Sequence, residues 1–571
     1  MKLSHLLPMA AAALTAFTLS AATRAELLPG DTALRLHTAN VSNLCAALVD
    51  TPLGRCLRDP EVKEFLGNPE LNCLLPQCGG APQSQTELQR LRGEQLKLLQ
   101  GEVVLGLMQG TPVKFCLAAQ LTKPQYAQFK EIDEKIHRTL PEAAKFVRED
   151  FQGLEILRAD NISAGQPTKT TWQTLVNDTF LFSNDRAWLE KSVIQLQTKP
   201  PANAAADYLM HVSVSGRGIC ALIEKAFELQ PATTNTPQLV RAGDLINALK
   251  LSELREATLT LAKQNHRLRT VTRINNGRCR QGIWALTDTT PLPTDWRLPY
   301  LPADAYTYTA NRLNLAAFWD ALPGMLGQIN PTLAASQMMF QSMLQAFGVN
   351  VTEDIIRRLE SGYATFSRME GSDSHSLLYW QLKQPAEAAT TLDRLLADGS
   401  PLRMQLGERL KAAKFRGYNI YTITPETGIS NAWSLATAGQ FLVCGNDTML
   451  RAALRATDTK GAVGGFYNTA AYKELLRLKP AQACSYEILD PVPIIRAYLT
   501  ESKWREFRQH CEKLNEKKQG CGQLPNFGRV PPTEKIASFF GPLLSYSVAT
   551  PDGWESVTTC LKTAFEIQET R

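Results

Sequence analysis

Residues 113–124 read VKFCLAAQLTKP, and residues 376–385 read SLLYWQLKQP. Apolar residues alternate along the first part of each stretch, which is the period-2 pattern of a half-buried antiparallel strand. Each stretch then reaches Gln-Leu, two further residues and a proline. Because proline is favoured in the first turn of a helix, a helix is expected to begin after Pro124 and after Pro385. The same strand-to-helix unit is therefore predicted twice in one chain.

Other short matches recur in the same order, at offsets between 261 and 273 residues. A series of ordered matches at a nearly constant offset indicates an internal repeat. The matched pairs are Leu28-Pro29-x-Asp31 with Leu301-Pro302-x-Asp304, Asn43-Leu44 with Asn314-Leu315, Phe151-x-Gly153-x-x-Ile156 with Phe415-x-Gly417-x-x-Ile420, Trp172 with Trp433, and Asn184-Asp185 with Asn446-Asp447.

The repeat predicts two tandem homologous lobes, from Glu26 to Thr290 and from Tyr300 to Arg571. A proline-rich linker, 291–299, is expected to be stiff and extended. In each lobe an extended segment leads to a helix near Asn43 or Asn314. Two strands, a helix, three more strands and another helix follow, and each lobe ends in a hairpin. Without regular strand–helix alternation, the predicted class is α+β, with mainly antiparallel sheet packed against helices.

The N-terminus has the order of a secretory signal peptide: Lys2, an apolar run from 6 to 19, and then small residues. Cleavage after Ala25 (Thr23 at −3) and after Ala22 (Ser20 at −3) both satisfy the small-residue rule, and we place the boundary near Ala25. The apolar run is too short to span a bilayer, since about 20 strongly apolar residues are needed. The mature chain is expected to be soluble, without a transmembrane segment, and periplasmic or secreted.

Twelve cysteines, an even number, favour disulfides in an exported chain. We expect Cys511 to pair with Cys521, and Cys116 and Cys444 to be buried thiols within strands. A second group is expected to pair within itself: Cys45, Cys56, Cys73 and Cys78. No C-x-x-C pair occurs and the histidines are scattered, so no metal is predicted.

The sequence carries none of the common catalytic signatures. It lacks H-E-x-x-H, G-x-S-x-G and the G-x-x-x-x-G-K-[ST] phosphate loop, so it favours a non-enzymatic role without a cofactor. A net charge of +6 over 571 residues does not indicate nucleic-acid binding. Two alternatives stay open: a hydrolase with its site between the lobes, and a carrier of a small apolar ligand.

One helical segment differs from its counterpart in the other lobe. Residues 321–352 contain no charged residue, whereas the lobe-one helix LQRLRGEQLKLLQ is heavily charged. Methionines suit adaptable contacts, so this segment is the predicted surface for an envelope protein or an apolar ligand. A helix buried between the lobes is the competing interpretation. The apolar stripe consists of Met338, Met339, Phe340, Met343, Leu344 and Phe347.

Two repeated features could be read as ligand sites, but structural roles explain them more simply. The Asn-Asp pairs Asn184-Asp185 and Asn446-Asp447 each precede a helix, and these residue types favour the N-cap position. Trp172 and Trp433 occupy matching strand positions, which favours packing over stacking on a sugar.

The mature N-terminus resembles a bacterial exported family of unknown function. The resemblance rests on Leu28-Pro29-x-Asp31, Thr51-Pro52-Leu53-Gly54 and Asp59-Pro60-Glu61-Val62, which match an LPADT-like strand followed by a TPLG…DPEV helix region. It covers about residues 27–67, departs at 72–80, and supplies no catalytic residues. It implies export and architecture, and we expect a binding or envelope-organising protein.

Overall fold

The computed structural model describes residues 24–66, 83–108, 113–139, 145–161, 169–199, 201, 206–228, 240–264, 267–293, 296–424, 432–459, 465–516 and 526–561. The chain divides into two compact units. The first comprises Met1–Leu48, Glu70–Gly218 and Thr260–Lys263; the second comprises Val49–Pro69, Ile219–Leu259 and Gln264–Arg571.

The helices are numbered in chain order. They are α1 (Val41–Val49), α2 (Pro52–Arg58), α3 (Pro60–Leu66), α4 (Gln83–Leu98), α5 (Lys123–Thr139), α6 (Arg186–Thr198), α7 (Gly216–Glu228), α8 (Ala242–Leu249), α9 (Leu315–Ile329), α10 (Pro331–Ala346), α11 (Pro385–Leu396), α12 (Pro401–Leu406), α13 (Asp447–Asp458), α14 (Ala470–Leu478), α15 (Pro491–Tyr498), α16 (Glu501–Glu516) and α17 (Thr533–Ser538).

The strands are numbered in the same way. They are β1 (Leu34–Thr38), β2 (Val103–Met108), β3 (Lys114–Gln120), β4 (Lys145–Phe151), β5 (Leu154–Asn161), β6 (Lys169–Val176), β7 (Thr179–Ser183), β8 (Met210–Ser215), β9 (Glu256–Gln264), β10 (Arg267–Asn275), β11 (Thr307–Arg312), β12 (Leu359–Glu370), β13 (Asp373–Leu382), β14 (Leu410–Phe415), β15 (Tyr418–Ile423), β16 (Trp433–Ala438), β17 (Phe441–Gly445), β18 (Ala483–Leu489), β19 (Leu543–Thr550) and β20 (Gly553–Cys560).

In the first unit, β1 pairs with β2 and β8, and β2 continues through β3 to β7. Strands β4, β5, β6 and β7 form a meander. The period-2 pattern of β3 buries both of its faces. Cys116 and Ala118 pack on one side with Leu189, while Ala119 and Leu121 pack on the other side with a second group of buried residues.

The second unit has the same pairings, strand for strand. β11 pairs with β12 and β18, β12 continues through β13 to β17, and β14 to β17 form a meander. Here β18 also continues through β19 and β20 to β10. The core includes Tyr308, Tyr379 and Leu450. All of these pairings are antiparallel, so the predicted α+β class with antiparallel sheet is confirmed.

The repeated Phe-x-Gly motif marks the same turn twice. It joins β4 to β5 and β14 to β15 in two-residue turns whose residues have positive φ, at Gln152 and Gly153 and at Arg416 and Gly417. Two-residue hairpin turns with both φ values positive match the twist of the flanking strands, and they favour glycine.

Some expectations about the elements need correction. Four strands, not three, lie between the helix that follows Pro124 or Pro385 and the Asn-Asp pair. The first helix begins at Val41, near Asn43 as expected, and the side chain of Asn40 accepts from the backbone N–H of Asn43. Residues 219–259, assigned from sequence to lobe one, cluster with the second unit.

The proline-rich segment also differs from a free linker. Leu292, Trp296 and Leu298 within it are buried in the core of the second unit. The apolar side chains between the prolines explain this burial. Removing them from water stabilises the unit, whereas leaving them exposed in a linker would not.

No helix among the described residues is long and apolar enough to cross a bilayer.

Candidate functional site

The predicted apolar stripe lies on α10, the second helix of a helical hairpin. The side chain of Asn314 accepts from the N–H of Ala317 at 3.1 Å and caps α9. The side chain of Asn330 accepts from the N–H of Thr332 at 2.8 Å, and Pro331 is the first residue of α10. These caps fix where the two helices begin.

The apolar side of α10 faces water. Five of its large apolar side chains are 41–71% exposed, and none of the residues of α10 is buried. We call the following residues the methionine surface: Leu333, Met338, Met339, Phe340 and Met343. Of the six predicted stripe residues, Met338, Met339, Phe340 and Met343 are exposed. Leu344 instead packs partly against a buried cluster, and Phe347 is half-buried.

The polar side of α10 is partly covered. Gln337 is half-buried, and within the described residues neither its amide oxygen nor its amide nitrogen has a hydrogen-bond partner. A buried polar group without a partner costs free energy, and an exposed apolar patch is also unfavourable. Of these two features, the exposed apolar patch is the one that a binding partner could cover, because the amide of Gln337 is already buried within the chain.

The corresponding region of the first unit behaves differently. There α4 carries charges along its length and buries Leu91 and Leu98. Charged residues remain in water while leucines enter the core, which is the ordinary arrangement of an amphipathic surface helix.

A buried polar cluster in the first unit has no counterpart among the sequence predictions. Arg24 is fully buried: its Nη1 lies 2.7 Å from Oε2 of Glu102, and its Nη2 lies 3.0 Å from Oδ1 of Asp178. The Nε of Arg24 donates to Oγ1 of Thr179 at 3.1 Å. The other carboxylate oxygen of Glu102 lies 3.0 Å from Nε2 of His37.

The surroundings of Glu102 keep it ionised. Burial alone would raise its pKa, but the hydrogen bonds and charges of His37 and Arg24 outweigh burial and hold the pKa below the ordinary value. Tyr208, 2.5 Å from Nδ1 of His37, has a raised pKa because of burial and the charge of Glu102. With both oxygens of the carboxylate engaged, Glu102 is suited to holding structure rather than to proton transfer.

Two members of this cluster, Glu102 and Tyr208, line a cavity of about 730 Å³. Polar groups predominate in its wall, and several come from the start of α1 and from the segment before β8. The lining includes Asn40, Asn43, Glu102, Gln120, Asp207 and Tyr208. Such a wall does not suit the small apolar ligand of the carrier alternative.

A second cavity, of about 460 Å³, lies within the second unit and is basic. Arg267, Arg269 and Arg477 line it, together with Tyr546 and Val557. Glu474 forms ion pairs with Arg267 and Arg477 and offsets part of the charge. The arrangement could accept an anion.

The two Asn-Asp pairs have different structural roles. The side chain of Asn446 accepts from the N–H of Met449 and caps α13, as predicted. The pair in the first unit does not cap α6. Asn184 instead accepts from the N–H of Phe115 at 2.8 Å, and Asp185 forms an ion pair with Lys114 at 2.8 Å. Ser183 Oγ accepts from the N–H of Asp185.

The two repeated tryptophans also diverge. Trp172 packs partly against the core of the first unit, as predicted. Trp433 is 52% exposed, so the predicted packing role is wrong for this copy. It is the first residue of β16.

Two of the cysteines predicted to form disulfides, Cys45 and Cys56, carry free thiols. Cys45 is exposed on α1, whereas Cys56 is buried in an apolar cluster with Val62 and Phe539. Cys116 is a buried thiol, as predicted, and Cys444 is a half-buried one. Outside the described residues lie Cys73, Cys78, Cys521 and the side chain of Cys511.

In the part of the chain that the structure describes, no three histidine, cysteine, aspartate or glutamate side chains group together in a way that could hold a metal ion.

No family model and no curated protein matches this chain. One solved structure, described as "Structure of crystal form I of TP0453", is similar over 46% of this chain and 82% of its own, with 8% sequence identity and a TM-score of 0.21. A likeness at this level says nothing about the function of either protein.

Proposed function

We propose that this is an exported, non-enzymatic binding protein that contacts another protein of the cell envelope through the methionine surface. The observation that carries the proposal is the outward-facing apolar side of α10, in a stretch of 32 residues (321–352) without a charge. The centres of protein–protein interfaces are depleted in charged residues and enriched in methionine and aromatic residues.

Lipid is a less suitable occupant than protein. Helices that lie on membranes combine an apolar face with lysine or arginine, which attract anionic headgroups. The segment 321–352 has the apolar face but contains neither lysine nor arginine. Its exposed polar side chains are amides and hydroxyls, such as Gln345 and Ser336, which can be covered at lower cost than charges once they find hydrogen-bond partners. A protein surface can supply those partners, and an acyl chain cannot.

Export and duplication belong to the same proposal. We infer that two tandem homologous lobes arose by duplication, supported by the ordered sequence matches and by the seven strand pairings that recur in the same order. In this view α10 diverged from an ordinary amphipathic helix into a binding helix after duplication. The signal-like N-terminus supports a periplasmic or secreted location.

The test is site-specific photo-crosslinking in the native cell envelope. A photoreactive residue at position 339 is compared with one at position 404, because Met404 is similarly exposed (67% against 71%) but lies on α12. A discrete protein product from position 339 alone supports the proposal. Crosslinks only to lipid, or only to a second copy of this chain, overturn it.

Once that partner is purified, its affinity is measured for the wild-type chain and two variants. M339Q/M343Q should weaken binding at least about tenfold (about 1.4 kcal/mol), since the loss of each central apolar anchor costs about 1 kcal/mol or more. M404Q should bind like the wild type. The thermal unfolding midpoint of M339Q/M343Q should be unchanged, because both side chains face water; a large cooperative loss of stability would assign the stripe to the core instead.

A further inference from the structure

The sequence offers two leader-cleavage positions that satisfy the small-residue rule equally well. Cleavage after Ala22 leaves Arg24 in the mature chain, and cleavage after Ala25 removes it. The rule considers only the residues at −3 and −1, so it cannot distinguish the two positions. What the folded protein does with the residues between them can.

Arg24 is an integral, buried residue of the first unit. Its guanidinium is fully buried and contacts three groups on separate parts of the chain: Glu102, Asp178 and Thr179. Arginine is almost never fully buried unless it is paired. Here pairing is mutual, because the side chain of Glu102 is only 3% exposed and depends on Arg24 and His37 for its hydrogen bonds.

The residues next to Arg24 are also in place. Arg24–Leu27 form a short 3₁₀ turn, and the carbonyl oxygen of Ala25 accepts from the N–H of Leu28 at 3.3 Å. The side chain of Ala25 packs against the core of the unit, and the carbonyl of Leu27 accepts from Nε1 of Trp188 at 2.9 Å. Arg24 and Ala25, which precede the later of the two cleavage positions, are therefore both part of the folded first unit.

We propose that the leader is removed between Ala22 and Thr23, so that Arg24 stays in the mature protein as an internal counterion for Glu102. The proposal rests on the proposed export of the chain. Removal after Ala25 would leave the carboxylate of Glu102 buried with only His37 beside it, and such an uncompensated charge strongly destabilises a fold.

The experiment is the intact mass and N-terminal peptide of the full-length gene product purified from its native cell envelope. The expected mature chain starts at Thr23. A chain that starts at Glu26 overturns the cleavage proposal but leaves export standing. A chain that keeps the leader and starts at Met1 or Lys2 overturns both.

Two leader variants sharpen the result. T23F places a bulky residue at −3 of the later position only, so the mature chain should still begin at residue 23. A22F places a bulky residue at −1 of the earlier position, so production of that N-terminus should be lost. If T23F blocks processing, or if A22F gives the same N-terminus as the wild type, the cut does not lie between Ala22 and Thr23.

Discussion

Nη1 of Arg24 lies 2.7 Å from Oε2 of Glu102, and both side chains are withdrawn from water. His37 takes the other oxygen of the same carboxylate at 3.0 Å. The pair joins a residue just after the signal-like segment to the start of β2. A buried ion pair is weak support for net stability, but removal of one partner is costly because the other charge is left uncompensated.

We therefore expect R24M to destabilise the first unit by about 3–5 kcal/mol. The double variant R24M/E102L should recover much of that loss, since it removes both charges and substitutes apolar side chains of similar size. Chemical denaturation of the two variants and the wild type measures this. Equal stability of R24M and the wild type would show that Arg24 does not compensate Glu102.

Acid should destabilise the second unit through Asp288. Burial would raise its pKa, but hydrogen bonds from Thr290, Ser361 and Arg312 lower it from 3.8 to about 2. Since the folded pKa lies below the unfolded one, the stabilisation is fully present above the unfolded value of 3.8. It is lost as the pH falls toward about 2. As the pH is lowered across this range, the free energy of unfolding should fall less steeply for D288N than for the wild type. Parallel curves for the two proteins would show that Asp288 does not cause the loss of stability.

The asymmetry of the two Asn-Asp pairs predicts unequal effects of removal. N446A should cost about 1 kcal/mol, because α13 loses the side chain that accepts from Met449. D185A should cost less than about 1 kcal/mol, since Asp185 makes no capping bond and its partner Lys114 is 44% exposed. Urea unfolding of both variants checks the order. A larger cost for D185A would mean that Asp185 stabilises α6 more than the Asn446 cap stabilises α13.

Thiol labelling at neutral pH should separate the cysteines by burial. Burial, with the charge of Asp59, raises the pKa of Cys56 to about 11, and burial raises the pKa of Cys116 to about 12. Cys45 is exposed. Because the thiolate is the reactive form, Cys45 should react with a maleimide in the native protein, and the other two only after unfolding. Peptide mass mapping identifies the labelled positions, and rapid native labelling of Cys116 would contradict its burial.

Much of the secondary structure follows from local pattern. The alternation in 113–121 and 376–382 predicts β3 and β13, and Asn446 predicts the cap of α13. Local pattern is informative here because strand alternation and capping depend on residues only a few positions apart. The equivalent prediction for Asn184-Asp185 fails, because Phe115 and Lys114, about 70 residues earlier, engage both side chains instead.

The sequence by itself determined the α+β class and the absence of charge in 321–352, and it predicted an internal repeat and two candidate leader-cleavage positions. These depend on residue type and spacing along the chain. Only the tertiary structure decided that the methionines of α10 face water, that Trp433 is exposed, and that Arg24 is buried beside Glu102. Burial and ion pairing depend on which distant segments pack together, and residues 78 positions apart, such as Arg24 and Glu102, leave no local pattern to show it.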